Sequence, residues 1–224
     1  MAPYTRTIIC LANSKKNLGR CVAGLELTGE KPTTWLRPVS ERSGHELSLD
    51  DRRYANGADV ALLDIVEVAL LHHAPEGCQQ ENHLIDDGVY WRKLATFSAR
   101  DLVQYARTNA PLWLDGNSSY SGRNDRILAH ASDQLAHSLE LVKPSNPIVI
   151  VAPGRTKRQV RVKFHLGATE YNFVVTDTEV EAAYLPRENG MYPLDGDVLF
   201  CVSLGEPFDG HRYKLVAAVI PVTT

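Results

Sequence analysis

The chain has 224 residues, room for one large domain or two of about 100 residues each. Hydrophobic residues make up 44% and charged residues 23%, an ordinary globular balance, and the net charge of −3 argues against a protein that coats DNA by bulk positive charge. No apolar run approaches the roughly 20 residues of a membrane-spanning helix, and the N-terminus lacks a secretory signal's apolar centre and cleavage site, so a cytoplasmic protein without a membrane partner is expected.

Residues 6–12, "RTIICLA", read as a strand, as do residues 20–27, where Cys21, Ala23, Leu25 and Leu27 alternate onto one face. Residues 34–40, "TWLRPVS", form a third, with Pro38 confining its end to an edge or bulge. A helical turn is expected in "LSLDDRRYA", then a long strand over 62–71 and a further strand over 89–96. Residues 98–108 read as a helix capped by Ser98. The Gly-, Asn- and Ser-rich stretch 109–137 reads as a connection, which places an N-terminal domain at 1–108 and a C-terminal domain at 138–224. In the second half, 138–144 and 147–153 read as one strand broken by Pro144. Residues 158–166 alternate strictly, with Val160, Val162, Phe164 and Leu166 opposite Arg161, Lys163 and His165. A hairpin partner follows at 169–176, then a short helix with the capping box Thr178-x-x-Glu181, then strands at 197–204 and 212–222. Three strands, a helix and two strands is the order of an OB barrel, and the first half fits the same plan with 89–96 as its fifth strand. The expected fold is mainly β, two OB-like five-stranded Greek-key barrels.

Cys10, Cys21, Cys78 and Cys201 include no C-x-x-C pair, and buried free thiols are the expectation. Basic charge is concentrated instead. Residues 1–42 carry seven Lys/Arg against three Asp/Glu, and residues 153–165 carry five against none. Asn13, Ser14, Lys15, Lys16 and Arg20 surround one basic loop; Arg155, Lys157 and Arg158 form another and lead onto Arg161 and Lys163. Both loops fall between the first and second strands of a barrel, where an OB fold borders its ligand, and a basic strand face offers cations at about 6.6 Å spacing to a phosphate backbone. Tyr171 and Phe173, which share their face with Val175, read as core; Tyr120, near Arg123 and Arg126, reads as a candidate base clamp.

Trp35 and Arg37 are read as pointing to opposite faces of their strand. Arg37 either pairs with an acid such as Glu67 or forks a phosphate or carboxylate. Segment 72–88, "HHAPEGCQQENHLIDDG", admits three readings. A metal site from His72, His73, Glu81, His83 or Asp86 lacks paired ligand spacing. Acid–base chemistry at Glu81 or Asp86 lacks a nucleophile. A polar structural or base-reading loop fits best, with the amides of Gln80 and Asn82 flanking Glu81.

The patterns Asn13-Ser14-x-x-x-x-Gly19-Arg20-Cys21, Trp35-Leu36-Arg37-Pro38-Val39-Ser40 and Gln80-Glu81-Asn82 resemble an uncharacterised bacterial family of dual OB-fold domain proteins. The resemblance runs nearly end to end. It implies two OB barrels and nucleic-acid binding in a defence or genome-maintenance setting, and it carries over no catalytic residue. No P-loop, G-x-G-x-x-G, H-E-x-x-H or G-x-S-x-G is present, and no cofactor or metal is expected. A nucleic-acid-binding module, DNA or RNA, single-stranded or structured, is the leading expectation. The alternatives are a sensor or enzyme for a nucleotide-like small molecule bound between the barrels, and an adaptor for a protein partner.

Overall fold

The structure, a computed structural model, describes residues 2–154 and 156–222. The chain divides into two units: residues up to Asp101 together with Ala136–Ser138, and Leu102–Leu135 together with residues from Leu139 onward. Each is a β-barrel with its own core.

Unit 1 contains β1 (Tyr4–Lys16), β2 (Gly19–Thr28), β3 (Lys31–Val39), α1 (Leu49–Arg52), β4 (Asp64–His73), β5 (Asn82–Ile85) and β6 (Arg92–Thr96). The strands are hydrogen-bonded in the order β1-β2-β3-β5-β4, and β4 returns to β1, so the sheet closes. The first half of β1 pairs with β4 and the second half with β2, which requires β1 to bend; the register shifts between Cys10 and Ala12. Gly24 faces that bend. A Cβ there would lie 2.1 Å from the Ile9 carbonyl oxygen, so no larger residue fits without moving backbone. Val66, Val68 and Leu70 alternate inward from β4 to meet Ile8, Val22, Leu36, Ile85 and Trp91 in the core. Helix α1 occupies the slot between the third and fourth strands, held by a reciprocal cap between Ser48 and Asp51.

The fifth barrel strand is not at 89–96. It is β5, inside the segment read as a polar loop, and it pairs parallel to β3. Residues 92–96 are β6, an exposed strand added to β4. Four residues with Asn and His at the first two positions carry almost no periodic signal; the partner strand supplies the order.

Unit 2 begins in a single turn, α2 (Ala99–Leu102), shared with the end of unit 1. The expected helix stops there and in a 3-10 turn, Val103–Tyr105, because the Arg107 backbone bonds instead to Leu141 and Lys143. The unit continues with β7 (Arg126–Leu128), α3 (Ala129–Ser132), β8 (Leu139–Val142), β9 (Ser145–Pro153), β10 (Arg158–Leu166), β11 (Thr169–Val175), α4 (Thr178–Tyr184), β12 (Gly190–Pro193), β13 (Val198–Phe208) and β14 (His211–Pro221). Strands β8 and β9 are the two halves of one barrel strand, broken where Pro144 was expected to break it: β8 pairs with β13 and β9 with β10. β11 runs parallel to β14, which repeats the topology of unit 1, while β12 and β7 extend β9 and β14.

Phe164, Tyr171, Phe173 and Phe200 form the centre of this core, with ring centroids 5.2–5.4 Å apart. The cap of α4 is Asp177, not Thr178; its Oδ1 accepts from the amides of Glu179 and Val180, and its Oδ2 from the amide of Val219. The longer-range bond to β14 selects Asp177. The four cysteines are free thiols; Cys10, Cys78 and Cys201 are buried. Among the described residues no helix is long and apolar enough to cross a membrane.

Candidate functional site

In unit 1 the first hairpin turns at Asn17–Leu18, with Asn17 at φ 49 and Leu18 fully exposed. Lys15 and Arg20 are direct cross-strand partners, so two cations share one face at the hairpin mouth. Lys15 is exposed and Lys16 half-buried. The Arg20 backbone exchanges both hydrogen bonds with Leu47, and its side chain has no carboxylate partner among the described residues. Gly19 permits this contact, since a Cβ would lie 2.5 Å from the Leu47 carbonyl oxygen. Asn13 and Ser14 serve the barrel: the Asn13 amide donates to Val60 O at 2.8 Å, and the buried Ser14 hydroxyl to Cys21 O.

The loop between the fourth and fifth strands, residues 74–81, carries Gln80, whose amide donates to Gly77 O at 2.6 Å and is exposed. Its neighbours face inward. Glu81 accepts from Arg37 Nη2 at 3.2 Å, from the Ser138 hydroxyl, and from the Ser138 amide at 3.3 Å, while Arg37 also donates to Ser138 Oγ at 2.9 Å. Both charged side chains are 3% exposed. Arg37 therefore forks no external anion. It pairs with an acid, but with Glu81 rather than Glu67, which is taken by Arg92 at 2.8 Å. Asn82 is buried in β5 and donates to Gln79. Trp35 and Arg37, two residues apart, share the face opposite the core residue Leu36, which corrects the expectation of opposite faces. Trp35 is half-buried.

At the end of β4, the His73 and His83 rings lie 4.8 Å apart, and Tyr4 Oη is 2.5 Å from His83 Nδ1. Burial, with the neighbouring His73, pushes His83 down to about 4. Among the described residues no group of three or more His, Cys, Asp or Glu could hold a metal ion.

In unit 2 the basic strand face is occupied by the protein's own chain. Below Val174–Val175 the strands β11 and β14 separate, and residues 123–128 fill the gap: Arg123 exchanges backbone bonds with Asn172, and Lys214 N donates to Asp125 O at 2.8 Å. Arg161 is consequently buried. It donates to Asp125 Oδ2 at 2.9 Å, to Asn172 Oδ1 at 3.1 Å and to Asn172 O at 2.7 Å. Lys163 pairs with Glu170 at 2.7 Å, holding that carboxyl below its ordinary range, and His165 lies 3.8 Å from the same group. The outward row alternates as expected, but acids from elsewhere neutralise it. Tyr120, on the same segment, is fully exposed.

Beneath the segment, the Lys214 ammonium donates to Leu114 O at 2.8 Å and Asp115 Oδ1 at 2.9 Å; burial lowers its pKa despite Asp115. The Tyr171 hydroxyl donates to Asp115 Oδ2 at 2.5 Å, and burial together with this carboxylate raises its pKa. Arg155 lies outside the described residues. Lys157 and Arg158 remain exposed at the first hairpin of this barrel, with no carboxylate partner among the described residues.

Sequence reasoning missed the opposite rim. The β13–β14 hairpin turns at Asp209–Gly210, and at its tip Phe208 is 64% exposed, its ring 6.5 Å from Tyr213, while its cross-strand partner His211 lies 6.4 Å from Tyr213. The available signal was an aromatic residue immediately before Asp-Gly in a stretch read only as turn-rich. In an OB barrel the loops joining strands 1–2 and 4–5 border the ligand. In unit 2 they carry Lys157 and Arg158, without a carboxylate partner among the described residues, and the exposed Phe208 ring beside half-buried His211 and Tyr213.

No curated protein and no solved structure matches the chain. A family model described as a dual OB-containing domain matches residues 6–219. With two barrels of OB topology between those limits, the chain belongs to the dual OB-containing domain family.

Proposed function

We propose that the chain is a non-catalytic binding module for single-stranded nucleic acid, held at the strand 1–2 and strand 4–5 loops of its barrels. One observation carries the reading. Several cations along the strand faces are matched by carboxylates, Arg6 by Glu26, Arg92 by Glu67, Arg161 by Asp125 and Lys163 by Glu170. Arg20, Lys157 and Arg158, at the first hairpin of each barrel, have no such partner among the described residues. Cations without a carboxylate partner at the first hairpins, together with the Phe208, His211 and Tyr213 rings at the β13–β14 hairpin of unit 2, supply the two things a single strand needs, positive charge for phosphates and rings for bases.

The test is fluorescence anisotropy with a labelled single strand of about 30 nucleotides, long enough for two OB sites of up to ~16 each. Three phosphate contacts give log K a slope of about −2 against log salt, at about −0.7 per contact. No binding, or an affinity indifferent to salt, overturns the proposal.

A further inference from the structure

In unit 2 the connection between α4 and β12 meets the first hairpin. Arg158 donates through Nε to Asn189 Oδ1 at 3.1 Å and through Nη2 to the Arg187 carbonyl. Arg187 lies on two rings: its guanidinium carbon is 4.2 Å from the Tyr184 centroid and 5.3 Å from that of Tyr192. The rings themselves are 5.8 Å apart at 64°. Tyr184 and Tyr192 pack inward against the core, and Tyr192 Oη donates to Glu188 O at 2.8 Å, so the platform is fixed. Arg187 Nε donates to Ala183 O at 3.2 Å, which orients the guanidinium and leaves both Nη groups without a partner among the described residues. Lys157 stands beside Arg158 at the hairpin tip, exposed. Glu188, the one acid in residues 185–190, forms no ion pair with any of these cations.

We infer that Lys157, Arg158 and Arg187, set on Tyr184 and Tyr192, form a phosphodiester-binding site for a single strand; this rests on the nucleic-acid reading above. Two arginines already immobilised by backbone and ring contacts do not have to lose that rotamer freedom on binding, a cost of about 0.5–1.5 kcal/mol per side chain. Each presents unused guanidinium donors, the fork that matches phosphate oxygens. The outer face of the Arg187 guanidinium, backed by Tyr184, is a surface on which a base can stack. The strand face of this barrel is occupied by residues 115–126, so the strand is gripped at the rim between the first hairpin and β12 rather than across β10 and β11.

The test uses the full chain and a fluorescent oligothymidylate at several salt concentrations, comparing wild type with R158Q/R187Q. Losing two phosphate contacts makes the salt slope shallower by about 1.4 and weakens binding roughly 25-fold at 0.1 M salt. R187K keeps a charge and loses the fork and the stack; the slope is expected to persist while affinity falls. Both arginines are on the surface, and an unchanged melting temperature confirms folding. Inorganic phosphate and ATP are expected to compete only at concentrations far above that of the oligonucleotide; displacement by ATP at matched phosphate concentration assigns the site to free nucleotide and overturns the strand assignment. Wild-type binding with an unchanged R158Q/R187Q slope overturns this inference alone. Absence of wild-type binding overturns both readings.

Discussion

The Arg37–Glu81–Ser138 cluster separates structural from ligand-binding charge. Replacing Glu81 by Met leaves the Arg37 cation at 3% exposure with only the Ser138 hydroxyl as acceptor. An uncompensated buried charge costs about 3–5 kcal/mol. Replacing Arg37 by Met leaves Glu81 two donors from Ser138 and belongs at the lower end, about 3 kcal/mol. Removing both charges, in R37M/E81M, leaves only the Ser138 donors unsatisfied, about 1–3 kcal/mol. The double variant therefore falls short of the summed single losses by at least about 2 kcal/mol. Urea titration followed by tryptophan fluorescence reads this, because Trp35 and Trp91 both lie in unit 1. With an m-value of about 2 kcal/mol/M, a 4 kcal/mol loss moves the midpoint by about 2 M. Folded R37M is also expected to hold oligonucleotide as wild type does. Single losses below about 1 kcal/mol, or strict additivity, would show that Arg37 is solvated, and a shallower salt slope in R37M would show that it touches phosphate.

Three further outcomes are expected. The folded pKa of His83 is depressed to about 4 from 6.5, so as pH falls the unfolded chain takes up the proton first; the stabilisation is fully present above pH 6.5 and is lost toward pH 4. Screening at this half-exposed site brings the loss to about 1–2 kcal/mol, and urea midpoints that fall in parallel for wild type and H83Q would contradict it. D125N removes the charge facing buried Arg161, and segment 115–126 is expected to exchange its amide hydrogens faster while the core strands do not; unchanged exchange there would mean Asp125 does not hold the segment. Y171F takes away the hydroxyl that joins Asp115 to the Leu112 amide, at a cost of about 1–3 kcal/mol in thermal or urea unfolding, and a neutral effect would place water in its stead.

Where alternation or turn chemistry is local, it is readable along the chain. Val160, Val162, Phe164 and Leu166 face the core as their spacing requires, Pro144 divides one barrel strand in two, and both first hairpins sit where the basic stretches sit. The two-barrel plan follows from that order of elements, and the family resemblance rests on the motifs at 13–21, 35–40 and 80–82. Tertiary contact decided the rest. β5 is too short and too polar to announce itself, and exists because β3 and β4 flank it. Arg161 looks solvent-facing from its alternation, yet Asp125, 36 positions away, buries it. The rings beneath Arg187 and the tip around Phe208 gain meaning only when the chain folds back. Periodicity reports which way a side chain points from its own strand. It does not report what another segment lays over that face, because the covering segment's place is set by long-range hydrogen bonds and ion pairs that leave no repeat in the sequence.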